Sequence, residues 1–201
     1  MPRRPPLGPA TAALCALLAL TACQGSPEAG RPNTTPPPTS STPTPTGPST
    51  PAWTAEEQAA IDAAKTRYVA ARAAVDRAQE DPSTASHAKL EASGNGGAFL
   101  QDVVKDLVFL RDRGLYRSGT TKVSSTVAVA ADVSAARPVV VLRSCIDGSD
   151  RVLRYRATKK PVPVASGDGA RHTVEARLTL APSSAGSQMW ILIEVKTLKP
   201  C

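Results

Sequence analysis

The chain is 201 residues long, with 41% hydrophobic but only 3% aromatic residues and a formal net charge of +7. No stretch reaches 18 consecutive apolar residues, which excludes a helical membrane span. The positive charge is mild and spread out, so nucleic acid is not an expected partner.

The first 22 residues read as an export leader. Arg3 and Arg4 are the only charges ahead of Cys23, and the apolar run Thr11–Leu20 follows them. About ten apolar residues are too few to span a bilayer, which needs roughly 20, but they suit a signal-peptide core. The small pair Thr21-Ala22 then stands directly before Cys23. Leu20-Thr21-Ala22-Cys23 resembles the lipobox of bacterial lipoproteins. That resemblance implies a diacylglyceryl thioether on Cys23 and cleavage just before it. Two acyl chains, each buried CH₂ adding roughly 0.8 kcal/mol, hold a protein on a membrane that one chain would hold only marginally. The expected address is therefore extracytoplasmic, on a lipid anchor. Losing Arg3 and Arg4 with the leader lowers the charge from +7 to +5. A mildly basic surface protein favours anionic lipid headgroups or wall polymers. The Ala, Val and Arg bias points to a high-G+C genome.

Residues 23–52 comprise the lipidated cysteine and a segment dominated by Pro, Thr and Ser, including Thr42-Pro43-Thr44-Pro45-Thr46. Such a composition buries too little apolar surface to offset its ordering entropy, so a disordered stalk is expected. Its reach is roughly 30 Å as a coil and about 90 Å if extended.

Residues 53–201 are long enough for one domain with its own core. Cys15 leaves with the leader and Cys23 is acylated, which leaves Cys145 and Cys201 as an even pair in an exported domain. Outside the cytoplasm such pairs oxidise, and the alternative is two free thiols. No Cys-x-x-Cys and no His/Cys cluster is present, so neither a metal site nor a cofactor is expected.

Thr54 with Glu57 forms a capping box, and Ile61, Ala64, Tyr68, Ala71, Val75 and Ala78 recur as one apolar stripe. Arg67, Arg72, Asp76 and Arg77 fall off that stripe, and Pro82 ends the helix. A short helix is predicted over His87–Ala92. Gly94-Asn95-Gly96-Gly97 is a turn rather than a phosphate loop, because Phe99 stands where the last glycine would be needed. A second long helix is predicted from Ala98 to Arg113, buried through Leu100, Val103, Val104, Leu107 and Leu110, with Gly114 just past its end. The period then changes to two. Strands are predicted over Val123–Val133, Val139–Asp147, Arg151–Ala157, Arg171–Leu180 and Gln188–Leu198. The last, apolar around Trp190–Ile193, is expected at the sheet centre. Helices first and strands afterwards predict an α+β fold with the helices packed on one face of an antiparallel meander.

The helix carrying Tyr68, the short helix, the segment Leu110…Gly114-Leu115-Tyr116…Gly119, then Cys145-Ile146-Asp147, Trp190 and the final cysteine resemble the NTF2-like cone fold. More narrowly, they are similar to lipoproteins of high-G+C Gram-positive bacteria that carry such a domain. The resemblance implies a curved sheet, a disulfide and a pocket between helices and sheet. It implies no activity, because this fold hosts enzymes and inert modules alike.

Pocket candidates are Tyr68, Tyr116, Asp147 and His172. Each has a plain structural explanation: the tyrosines as core residues with hydroxyls at the rim, Asp147 as the opener of an Asp-Gly turn, His172 as a strand-end residue. Arg151, Arg154, Arg156, Lys159 and Lys160 form the densest basic run, read as a solvated, charged strand edge or as a contact for anionic lipid or wall polymer. The preferred function is a non-catalytic envelope module that binds a partner protein, an envelope component or an apolar ligand. The alternatives are a small cone-fold enzyme with acid–base residues in its pocket, and an accessory subunit of a conjugation or secretion assembly.

Overall fold

The computed structural model describes residues 52–163, 171–183 and 186–201. The leader, Cys23, the stalk and the Gly167-Asp168-Gly169 loop lie outside the described residues. Among the described residues no helix is long and apolar enough to cross a membrane.

The fold is α+β, with three helices followed by antiparallel strands. Helix α1 runs Ala55–Glu80. The Thr54 hydroxyl accepts the Glu57 N–H at 3.2 Å and the Glu57 carboxylate accepts the Thr54 N–H at 2.8 Å. The capping box thus satisfies two amides that the helix leaves without partners. The predicted stripe is buried from Ile61 to Val75. Helix α2 (His87–Ala92) has its N-cap at Ser86. Helix α3 (Gly97–Asp112) buries Leu100, Val103, Leu107 and Leu110. Gly114 follows it at φ +62°, the left-handed conformation that a helix stop needs and that glycine adopts freely.

The strands are β1 (Leu115–Ser118), β2 (Lys122–Asp132), β3 (Val139–Asp147), β4 (Val152–Tyr155), β5 (Arg171–Pro182) and β6 (Gln188–Thr197). They form two sheets, β2-β3-β5-β6 and a separate ribbon β1-β4. The simple meander expected from sequence is therefore corrected. β4 leaves the main sheet and pairs with β1, a strand that the sequence pattern did not indicate. The physical reason is composition. β4 and its flanks carry Arg151, Arg154 and Arg156 at short spacing, which suits an arginine-lined ribbon better than a strand covered by helices on its inner face.

β6 is also corrected, from centre to edge. Its apolar run is covered in a different way. The 94–96 turn pairs with it: Gly96 N–H donates to Leu192 O at 2.9 Å, and Leu192 N–H donates to Gly94 O at 2.8 Å. Buried Asn95 pins that turn by donating its side-chain amide to the carbonyls of Ala71 and Leu90. The edge that would otherwise be open is thus occupied at its middle. In β2, register shifts between Ser124 and Val127 and between Ala128 and Ala130 break the expected alternation. Val127 is consequently 55% exposed, although the period of two put it inside.

The main core lies between α1 and the inner face of the four-stranded sheet, where Ile61, Ala64, Tyr68 and Ala71 meet Val140, Leu142, Ala176, Leu178 and Leu192. A second cluster joins α1, α2 and α3 through Val75, Leu90, Leu100 and Leu107. Beyond β6 the chain keeps to the sheet. Leu198 N–H donates to Thr173 O, and Thr173 N–H donates to Lys199 O. This brings Cys201 to Cys145, and the two form a disulfide with Cα atoms 5.9 Å apart and a sequence separation of 56.

In the chain-entropy account a bridge of that span stabilises by about 4 kcal/mol. Replacing both cysteines by serine should lower unfolding stability by up to about that amount. Wild type melted in reductant should follow the double variant. Coincident denaturation curves for the oxidised wild type and the double variant would contradict the role of the bridge.

Candidate functional site

The four pocket candidates are dispersed. Tyr68 sits in the middle of α1 with no exposed surface, and its hydroxyl shares a 3.1 Å hydrogen bond with Ser144 Oγ on β3, itself 2% exposed. The expectation that this hydroxyl reaches a rim is corrected: the helix stripe drives the ring into the core, and Ser144 satisfies the oxygen there. His172 opens β5 opposite Ile146, half-buried on the inner-face parity. Asp147 is opposite Arg171 in the next register position, so alternation sends it to the other face of the sheet from His172. Its carboxylate accepts the Ser149 N–H at 2.9 Å and faces Arg171 at 3.7 Å. The Ser149 hydrogen bonds, aided by Arg171 and Lys122, hold this carboxyl below its ordinary range. Tyr116 belongs to the β1-β4 ribbon, opposite Arg154.

Two grooves along α1 take other residues. One, of about 420 Å³, lies between α1 and α2 and is lined by Arg77, Thr84, Lys89 and Leu90. The other, of about 610 Å³, lies between α1 and the β5-β6 end and is lined by Ala63, Arg67, Ala70, Leu180, Met189 and Trp190. Among the described residues no three His, Cys, Asp or Glu side chains come together as a metal-ligand set.

The densest polar constellation is one that sequence reasoning missed. Asp76, only 5% exposed, accepts the Thr121 N–H at 2.7 Å and the Thr121 hydroxyl at 3.0 Å, and faces Arg151 at 3.6 Å. Gln79, equally buried, donates to Asp106 at 2.5 Å and accepts from Arg151. Asp106 on α3 also pairs with Arg117 on β1. Burial pushes the Arg151 guanidinium down from its ordinary value, and Asp76 opposes that push. The sequence placed Asp76 on the polar side of its helix. Its partners are 45 and 75 residues away, so no local pattern could find them. The only local signal was a carboxylate directly after the buried Val75.

The basic run divides in two. Arg151 and Arg156 are committed to α1: the first to Asp76 and Gln79, the second to Asp81 at 3.2 Å and Ser83 at 3.1 Å. Arg154 donates to Ser118 Oγ at 2.8 Å and to the Lys159 carbonyl at 3.0 Å. The Lys159 ammonium lies 5.1 Å from the centroid of the Tyr116 ring, a cation–π distance. Lys160 is exposed. What this arrangement does chemically is attach the ribbon to the helices through charge.

No family model matches the chain, and no curated protein matches it in sequence. Among solved structures, the chain is similar to the intermembrane space region of the chloroplast protein ARC6, at 12% identity and a TM-score of 0.46, over 69% of this chain and 96% of that one.

Two predictions rest on the polar network. Asp76→Ala strands Arg151 and the Thr121 amide, and should cost about 3–5 kcal/mol of stability. Adding Arg151→Gln should recover part of the loss in a double-mutant cycle. The second concerns pH. The Ser83 and Thr84 hydroxyls, with Arg156 behind them, lower the Asp81 carboxyl from 3.8 to about 2. A depressed folded-state value contributes stability that is present above 3.8 and lost as pH falls towards about 2. Asp81→Asn should therefore flatten the acid limb of the stability curve in that window and converge with wild type below it. An unchanged limb would show that Asp81 contributes nothing.

Proposed function

We propose that residues 1–22 export the chain, that Cys23 carries the diacylglyceryl anchor, and that the α+β domain is an NTF2-like module presented on the envelope side of the membrane. In this reading the domain binds or assists an envelope component and turns over no substrate. The observation that carries it is the filled interior. Tyr68, one of the residues proposed for a pocket, is buried with its hydroxyl on Ser144 and belongs to one core cluster with Ala64, Val140, Leu142 and Trp190. Two further features support it. The disulfide suits an oxidising compartment, and the β-bulges of β2 are the device that bends a sheet toward a cone.

The test is fractionation of producing cells, with membranes washed in high salt to strip electrostatic contacts. Wild type should stay with the membranes, with its N-terminal peptide beginning at a diacylated Cys23. Cys23→Ala should leave the washed fraction. Salt-resistant retention of the variant would sink the anchor. For the module, cross-linking of the anchored protein in intact cells should recover one stoichiometric envelope protein or polymer. A consistent failure to recover any argues for the enzyme alternative.

A further inference from the structure

The ribbon is chemically unlike the rest of the domain. Leu115–Thr121 and residues 151–163 together carry six cations, Arg117, Arg151, Arg154, Arg156, Lys159 and Lys160, and no Asp or Glu. The fold then sorts them. Arg117, Arg151 and Arg156 reach the carboxylates of Asp106 on α3, Asp76 on α1 and Asp81 just past the end of α1. Arg154, Lys159 and Lys160 have no ion pair among the described residues. Strand alternation explains the split for the strand residues. Tyr116 and Arg154 are opposite each other and share one face of the ribbon, while Arg117 is on the other.

The turn that follows β4 holds Lys159 at that free face, while Lys160, next to the Pro161 that bridges Arg154, is exposed at the edge of the ribbon. Lys159 N–H donates to Tyr155 O at 2.8 Å and Tyr155 N–H donates to Lys160 O at 3.0 Å. Lys159 itself has φ +61°, a left-handed conformation that disfavours a lysine. The turn maintains it, and the ammonium is brought over Tyr116.

We propose that this face, Tyr116 with Arg154 and Lys159 and with exposed Lys160 at its edge, docks on the anionic phospholipid surface of the bilayer that holds Cys23. The inference rests on the anchored reading above for its geometry. On the coil reach expected from the composition of residues 23–52, roughly 30 Å on average, the domain can meet the headgroups. Charge complementarity selects the anionic surface: three cations without counter-ions meet phosphates, and each is most effective within a Debye length. The tyrosine selects a bilayer over a soluble polyanion, because its amphipathic ring settles at the headgroup level. On the main sheet Arg143 and Arg171 are paired with Glu175 and Asp147, and Arg177 is opposite Glu194 in the strand register.

The test uses the lipidated protein on vesicles of phosphatidylcholine, alone or with one-third phosphatidylglycerol. Amide exchange of residues 115–118 and 152–160 should slow only on the phosphatidylglycerol vesicles, and salt should abolish the difference. The Lys159→Glu/Lys160→Glu variant should weaken that docking by at least about 25-fold, some fivefold for each charge removed. Arg177→Glu, a reversal on the outer face of β5 matched in charge to Lys159→Glu alone, should leave it unchanged. Equal protection on both vesicle types, or equal loss in the two variants, overturns the proposal. So does protection conferred by free polyphosphate as strongly as by the vesicles, which would assign the face to a wall polymer. Retention on pure phosphatidylcholine after a salt wash reports the acyl anchor separately. If the anchor fails, phosphatidylglycerol-dependent protection of the unanchored chain still decides the docking face.

Discussion

The domain depends on one helix face being buried against one sheet face. Ile61, Ala64, Tyr68 and Ala71 of α1 close over Val140, Leu142, Ala176 and Leu178, all at or near zero exposure. Burial of this apolar area is the main favourable term available to a chain this poor in aromatics. Tyr68 also brings a polar atom into the dry layer, which would be costly without a partner. Ser144 supplies that partner at the matching position on β3. The pair fixes how far along the helix the sheet can slide, so it specifies register as well as contributing stability.

Once α1 is fixed, its C-terminal half becomes a row of carboxylates for the ribbon. Asp76 and Asp81, helped by Asp106 on α3, each take one arginine from β1 or the β4 segment. A two-stranded ribbon is marginally stable by itself in water. Here its stability comes from these charge contacts and from Leu115, which reaches the core. Fixing the ribbon on one side leaves Arg154 and Lys159 on the other, with no ion pair among the described residues. The same pairing that builds the structure therefore creates the uncompensated surface.

The chemistry-bearing residues that stood out in sequence were poor guides to a site. Tyr68, Tyr116, Asp147 and His172 are distributed over a core, a ribbon, a turn and a strand end. Each was singled out by residue type, and residue type says nothing about which face of which sheet a side chain takes. Asp147 and His172 show this well. They occupy diagonal positions on neighbouring strands, yet the period of two puts them on opposite faces.

Local information determined the helices almost to the residue. A capping box, an apolar stripe and a proline define α1; a serine cap defines α2; a glycine stop ends α3. These signals act within four residues, so they are written in the sequence itself. The cysteine pair was legible as well, because Cys145 and Cys201 are the only cysteines of residues 53–201. Three things belonged to the tertiary structure alone: the departure of β4 to pair with β1, the edge position of β6, and the burial of Asp76. Each depends on partners distant in sequence, and the choice among them turns on which pairing leaves fewest charges and backbone amides without partners. Local pattern carries no record of that comparison. Packing makes it.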